Sequence, residues 1–255
     1  MPDALVGFTG FVGGNLLRQR RFDDLYNSRN IESIAGKEYE LLVCAGAPAE
    51  KWKANRDPET DHANIQRLLT SLQQVRARHV VVVSTVDVYP APVGVDEDTL
   101  IDRNACHAYG KHRLMLEEAL AHQFQTTIVR LPGLFGKGLK KNIIFDPLHD
   151  NLVQQVHCES VFQFYDLEHL WTDVETARRG GVSLVNFATE PTSVGEVAAA
   201  GFGRVFANRP ESPPARYDFK SRHASLFGGH SGYLYNKQQV LSGIAAFVAA
   251  ERNLQ

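Results

Sequence analysis

Three glycines, Gly7, Gly10 and Gly13, follow the apolar run Ala4 to Phe8 and open onto a helical pattern from Gly13 to Arg20. No other feature of the chain constrains its fold as strongly. In a GxxGxxG turn between a strand and a helix, one glycine makes the tight turn and one lets backbone approach a bound diphosphate. The third lets helix and strand pack closely. Unpaired amides at the start of the helix then face the anion. The spacing predicts that Gly7, Thr9, Gly10, Phe11, Val12 and Gly13 cradle the pyrophosphate of a dinucleotide. A glycine-rich loop without a ligand is the plainer alternative.

The rest of the first half fits a strand and helix in alternation, the pattern of a parallel α/β sheet. Short strands are expected at Leu25 to Asn27 and Leu41 to Ala45. Between Pro58 and Arg76, the residues Ile65, Leu68, Leu69, Leu72 and Val75 recur at helical spacing. The run Val80 to Val83 is wholly apolar and β-branched, as a central strand covered on both faces requires. A helix from Ala108 to His122 and a strand from Thr126 to Leu131 follow. The fold class is therefore α/β, a Rossmann doubly wound parallel sheet over residues 1–135. A small substrate-binding lobe, 136–255, interleaves with the last sheet elements. Beyond Pro132 the periodicity weakens, and Gly133, Gly136 and Gly138 mark a long loop. A strand is expected at Phe162 to Tyr165, a helix at Leu167 to Arg178, a strand at Ser183 to Phe187 and a final helix at Lys237 to Ala250.

Composition narrows the partners. With 27 basic and 29 acidic residues, the net charge of −2 gives no electrostatic footprint for nucleic acid or an anionic membrane surface. No segment approaches the roughly 20 apolar residues of a membrane span, and the N-terminus lacks the basic region of a signal peptide. A small-molecule substrate in the cytoplasm is expected. Cys44, Cys106 and Cys158 are scattered and odd in number, which suits reduced, buried thiols better than a disulfide framework. None of the ten histidines falls at a metal-ligand spacing, so no metal is expected.

The residue about 20 positions after the first glycine is normally acidic in NAD-selective sites, where it binds the ribose hydroxyls. Asn27, Ser28 and Arg29 stand there instead. Nothing in that turn repels a 2′-phosphate, and a guanidinium can bind one in a fork, so NADP is expected, with NAD as the alternative.

Further on come Ser84-Thr85-Val86-Asp87-Val88-Tyr89, then Tyr109-Gly110-Lys111-His112-Arg113, then Arg130-Leu131-Pro132-Gly133-Leu134-Phe135-Gly136. Taken with the glycine turn and with Asp57-Pro58 followed by Asn64, these ordered motifs resemble the extended short-chain dehydrogenase/reductases, the nucleotide-sugar epimerase and dehydratase group. The resemblance implies that Tyr109 is the acid/base and that the Thr85 hydroxyl binds the reacting oxygen. A lysine belongs four residues after the tyrosine, where it lowers the phenol's pKa; Arg113 stands there. The guanidinium is permanently charged and one helical turn from Tyr109, so it can supply the field, but its planar fork is bulkier than an ammonium. The implied cofactor pocket adds Ala45, Gly46, Asn64, Pro132 and Leu134. Asp87 lies where the dehydratase branch carries a proton-transfer acid, but its neighbour is Val86, so a loop-capping or substrate-contacting role is expected. Lys137, Lys140, Lys141 and Asn142 follow the loop that holds a nucleotide diphosphate in the family; Lys137, Lys141 and Asn142 are the substrate candidates. The expected protein is an NADP-dependent oxidoreductase or epimerase acting on a nucleotide-linked sugar, a homodimer by resemblance. The rival is a cofactor-binding sensor or scaffold that performs no chemistry.

Overall fold

The computed structural model describes residues 1–144 and 156–253. In chain order the main elements are β1 (Asp3–Val6), α1 (Phe11–Gln19), β2 (Asp24–Tyr26), β3 (Glu38–Cys44), α2 (Lys51–Arg56), α3 (Pro58–Leu72) and β4 (Arg76–Thr85). Next come α4 (Ala108–Gln123), β5 (Thr126–Leu131), β6 (Gly133–Phe135), β7 (Val161–Phe162), β8 (Phe164–Asp166), α5 (Leu170–Arg179) and β9 (Leu184–Asn186). The chain ends with β10 (Thr192–Ser193), α6 (Val194–Phe202) and α7 (Lys237–Arg252). These elements divide into two compact units.

The first unit comprises Met1–Pro90, Asp98–Leu131 and His169–Asn186. Its six strands form one sheet in the order β2-β1-β3-β4-β5-β9, parallel throughout. This is the expected doubly wound sheet. Val80, Val81 and Val82 in β4 are fully buried, and the consecutive residues Leu41, Leu42, Val43 and Cys44 of β3 beside them are buried too. Each such valine contributes roughly 1.5–3 kcal/mol by leaving water. Ile65, Leu68, Leu69 and Leu72 of α3 and Leu116 and Leu120 of α4 close one core against the sheet. The Asp57 side chain starts α3 by accepting from the Thr60 amide at 3.1 Å, with Pro58 in the first turn. The helix stops at Leu72, short of the expected Arg76, because β4 already begins at Arg76 and pairs it with Glu38 of β3. Pairing across the sheet overrides the helical spacing of Val75.

Strand order reverses between β1 and β3. In open α/β sheets a ligand sits outside the carboxyl ends of the strands at such a point. Gly7, just after β1, and Ala45, just after β3, both stand there.

The second unit comprises Ala91–Glu97, Pro132–Glu168 and Phe187–Gln255. Its core gathers Phe135, Ile144, Phe164, Val197, Phe202, Val240, Ile244 and Val248. Helices α6 and α7 each begin with a reciprocal capping box, Ser193 with Glu196 and Asn236 with Gln239. The single strand expected at Phe162 to Tyr165 is two short ones: β7 pairs with β10, and β8 with β6. Among the described residues no helix is long and apolar enough to cross a membrane. Cys44 and Cys158 are buried, and burial pushes the Cys44 thiol up to about 11. Cys106 departs from the expectation of full burial: it is only partly covered, and its single S–H has the carbonyls of Val88 and Asp102 as acceptors, each 3.3 Å from Sγ.

Candidate active site

At the reversal point the glycines are dictated by contact. A Cβ on Gly7 would stand 2.2 Å from the Ala45 carbonyl oxygen, and φ at Gly7 is +89°. A Cβ on Gly13 would stand 2.1 Å from the Gly7 carbonyl oxygen. The Gly10 amide closes the turn onto that same carbonyl at 2.9 Å. Gly10 then caps α1 with no side chain bonded to the first-turn amides and no acidic residue in that turn. A crevice floored by backbone, ending in unfilled helix amides, suits a pyrophosphate. Gly46 completes the wall: a Cβ there would meet Val6 Cγ1 at 2.9 Å.

The turn after β2 holds itself together through its own side chains. Asn27 Oδ1 accepts from the Arg29 amide at 2.8 Å, and Asn30 Oδ1 accepts from the Asn27 amide at 2.7 Å. From α3, Arg67 donates to the Ser28 carbonyl at 3.2 Å and to Glu32 Oε1 at 3.0 Å. Ser28 and Arg29 are exposed.

Tyr109 stands in the first turn of α4, 9% exposed. Gly110 brings it there: a Cβ on Gly110 would lie 2.0 Å from the Asp87 carbonyl oxygen, so only glycine lets α4 abut the turn that follows β4. That turn is fixed by the Thr85 hydroxyl, which accepts from the Asp87 amide at 3.1 Å. Burial pushes the Tyr109 phenol above its ordinary value, and the Asp87 carboxylate adds to that. The charge of Arg113, the nearby Thr85 hydroxyl and the charge of Lys51 oppose it without prevailing. The free site therefore keeps the phenol protonated and able to donate.

Helix α2, which sequence reasoning missed, reaches this centre twice. Lys51 Nζ pairs with Asp87 Oδ1 at 2.7 Å, and Asn55 Oδ1 accepts from the Tyr109 amide at 3.0 Å. Their i, i+4 spacing, one helical face, was the available signal. Asn64, expected to support the site, lies exposed on α3; the asparagine that touches the Tyr109 helix is Asn55.

Arg113 is 2% exposed and stacks its guanidinium over the Tyr109 ring, 4.0 Å from the centroid. Its terminal nitrogens are fully engaged. Nη1 donates to Asp61 Oδ2 and, at 3.2 Å, to the Tyr109 carbonyl; Nη2 donates to Asp61 Oδ1 at 2.9 Å and to the Pro48 carbonyl. Only Nε, buried, finds no partner. An orphaned donor beside the phenol is open to a ligand hydroxyl. Asp61, absent from the sequence expectations, also accepts from His112 Nδ1 at 2.7 Å. Burial pushes Asp61 upward, but Arg113 and His112 together hold it below the ordinary carboxylate range. His112 is thus a buried partner of Asp61.

Behind Thr85 lies a second polar network. Arg130 donates from Nη2 to Glu117 Oε2 at 2.7 Å and from Nη1 to the Tyr89 phenol at 2.8 Å. Ser84 donates to the same Glu117, and Asn186 Nδ2 donates to the Tyr89 oxygen at 3.1 Å. All five residues are buried. Pairing and hydrogen bonding satisfy the charges, so the network is read as support for the end of β4.

The remaining candidates belong to the second unit. Leu134 pairs with Tyr165 in the β6–β8 ladder, and Pro132 precedes it. Asn142 Nδ2 donates to the Leu134 carbonyl at 2.8 Å while its Oδ1 accepts from the Ile144 amide at 2.9 Å. Its amide thus pins its own loop to β6. Lys137 and Lys141 are exposed.

A family model described as the NAD dependent epimerase/dehydratase family matches residues 20–157. No curated protein matches the sequence. Among solved structures, dTDP-4-dehydrorhamnose reductase from Bacillus anthracis in complex with NADP is similar at 15% identity and TM-score 0.74, with 97% of each chain covered. UDP-glucose 4-epimerase from Thermotoga maritima with UDP-glucose is similar at 15% identity and TM-score 0.71, covering 100% of this chain and 99% of that one. RMD from Pseudomonas aeruginosa, complexed with NADPH, is similar at 14% identity and TM-score 0.71, covering 98% of this chain and 100% of that one. At these identities the likeness establishes the fold.

Proposed function

The chain belongs to the NAD-dependent epimerase/dehydratase family, and from that premise we propose that it is an NADP-dependent oxidoreductase or epimerase acting on a hydroxyl or carbonyl carbon of a nucleotide-linked sugar. One observation carries the reading: a buried phenol, Tyr109, beside the Thr85 hydroxyl and covered by a guanidinium, in the same unit as a crevice that only glycines can line.

Gly7, Gly10 and Gly13 and the α1 amides would hold the pyrophosphate, with Ala45 and Gly46 as the opposite wall. Ser28 and Arg29 would take a 2′-phosphate, since no carboxylate follows β2 before Glu32. Arg113 Nε would meet a ribose hydroxyl. When bound, the nicotinamide supplies hydride exchange with the substrate carbon.

The protein's own part is proton transfer and orientation. In the reducing direction Tyr109 donates its phenolic proton to the forming alkoxide; in the oxidising direction the phenolate takes it back from the alcohol. Thr85 bonds the same substrate oxygen and keeps it in line with the phenol. The nucleotide-sugar class is supported by the UDP-glucose held by one structural relative and by the exposed Lys137 and Lys141. A cytoplasmic homodimer completes the reading, in keeping with three thiols outside any disulfide.

Calorimetry with NADP(H) and NAD(H), followed by turnover assays over a panel of nucleotide sugars, tests the proposal. Tyr109→Phe is expected to keep dinucleotide affinity within about threefold and to lose at least ~10²-fold in kcat, the share of a positioned acid. Binding with no turnover on any substrate would favour a sensor. No binding of either dinucleotide would overturn the reading.

A further inference from the structure

If Tyr109 is the acid/base, as proposed above, its proton affinity must be set by the charges around it. Four elements bring such groups to the phenol. Helix α4 supplies Arg113, the turn after β4 supplies Asp87, and helix α2 supplies Lys51. Helix α3 contributes Asp61, which acts through Arg113 and also binds His112.

Arg113 is the cation that acts most on the phenol, yet its own fork is fully occupied. Its guanidinium is locked edge-on to the Asp61 carboxylate, and its other terminal N–H groups are spent on backbone carbonyls. The Asp61 carboxylate offsets part of the field that Arg113 casts around it. Asp87 works against Arg113, since an anion beside a phenol disfavours phenolate. Lys51 answers it at 2.7 Å from a helix whose Asn55, one turn on, docks on the Tyr109 amide. With Lys51 in place the formal charges of Arg113, Asp61, Asp87 and Lys51 cancel. Without it the balance is one negative charge, on the side that keeps the proton on Tyr109.

We propose that Lys51 is a positioning residue for the Tyr109 acid/base: by holding the Asp87 carboxylate, it sets the proton affinity of the phenol from helix α2, a task that Arg113, tied to Asp61, does not perform alone. The pair is reachable from solvent, with side chains 40% and 19% exposed. A substrate group that draws Lys51 away from Asp87 would strengthen the phenol's hold on its proton, and a cation that binds Asp87 would weaken it.

The test needs neither dinucleotide nor substrate, so it stands apart from the functional reading. A fluorinated tyrosine at position 109, more acidic than tyrosine itself, lets ¹⁹F NMR follow this one phenol as pH rises. Lys51→Met is expected to raise the midpoint by about one pH unit, a tenfold loss of phenolate at fixed pH. Asp87→Asn should lower it by a similar amount, the double variant should return it close to the parent, and Lys51→Arg should leave it there. If Lys51→Met fails to fold, Lys51→Gln takes its place. Midpoints that agree in all variants, show no difference up to the alkaline limit of the fold, or move in one direction for both single variants would overturn the proposal. The last result would mark a common loosening of α2. Failure of the protein to bind NADP(H) would sink the enzymatic reading and leave this titration intact.

Discussion

Removing the carboxylate of Asp61 should damage this protein more than removing the guanidinium it binds. Arg113 is 2% exposed and Asp61 5% exposed, and two hydrogen bonds join them. Asp61→Leu strands a cation that cannot lose its proton; breaking one side of a buried pair in this way costs about 3–5 kcal/mol. Arg113→Met leaves an aspartate that can take up a proton and keeps its His112 partner at 2.7 Å, so about 2 kcal/mol is expected. The double variant replaces the pair with apolar side chains of similar bulk and should cost less than Asp61→Leu alone. For a chain of this size each kcal/mol moves Tm by roughly 2–4 °C, which puts Asp61→Leu about 6–20 °C down. Scanning calorimetry and urea titration of the four proteins close the cycle. The pair also carries a pH signature. Asp61 is held below its ordinary value in the folded state, so its stabilisation is present above the unfolded-state pKa near 4 and is lost as pH falls through the folded value. The parent should therefore show a steeper acid limb than Asp61→Leu, whose remaining slope comes from carboxylates such as Glu175 and Glu196 that are also held low. Single-variant costs that simply add in the double, or a loss below about 1 kcal/mol for Asp61→Leu, would refute the reasoning.

Three further outcomes follow from the site. Gly110→Ala, whose methyl would meet the Asp87 carbonyl at 2.0 Å, should move Tyr109 off Thr85 and cut kcat by about 10²-fold. NADP(H) affinity measured by calorimetry should stay within about threefold. Gly13→Val, facing the Gly7 carbonyl, should abolish dinucleotide binding, seen as loss of the ligand-induced rise in Tm. Arg29→Ala should weaken NADP binding about tenfold and leave NAD unchanged, as expected for a single charge-assisted contact to phosphate; equal changes for both dinucleotides would remove Arg29 from the 2′-phosphate site.

What the sequence revealed, and what it hid, follows from range and size. The glycine turn and the valines of β4 are local patterns whose meaning is fixed within a few residues, and both were legible. Helix α2 is six residues long and buries only Ala54; a helix so short has no apolar stripe to read, and it exists because α3 and α4 receive it. The helix from Val194 to Phe202 was missed despite its Ser193-x-x-Glu196 signature. Strands β6, β7, β8 and β10 are two or three residues each, and only their partners define them. Asp61 stands 52 residues before Arg113, a separation across which no periodicity carries information.

That distant pairing changes how the arginine is understood. A lysine buried beside Tyr109 could shed its proton to suit a dry setting, since ammonium pKa values fall readily on burial. A guanidinium has no such exit. Placed at 2% exposure it requires a counter-charge, and Asp61 provides one. Arg113 and Asp61 therefore stand or fall as a set, and the guanidinium still lowers the phenol's proton affinity. The stacked guanidinium still shapes the pocket: it covers the Tyr109 ring, fixes the Pro48 loop and leaves Nε unspent. With that cation fixed in place, the adjustable charges beside the phenol are those of Lys51 and Asp87, 40% and 19% exposed, on which the proposal above rests.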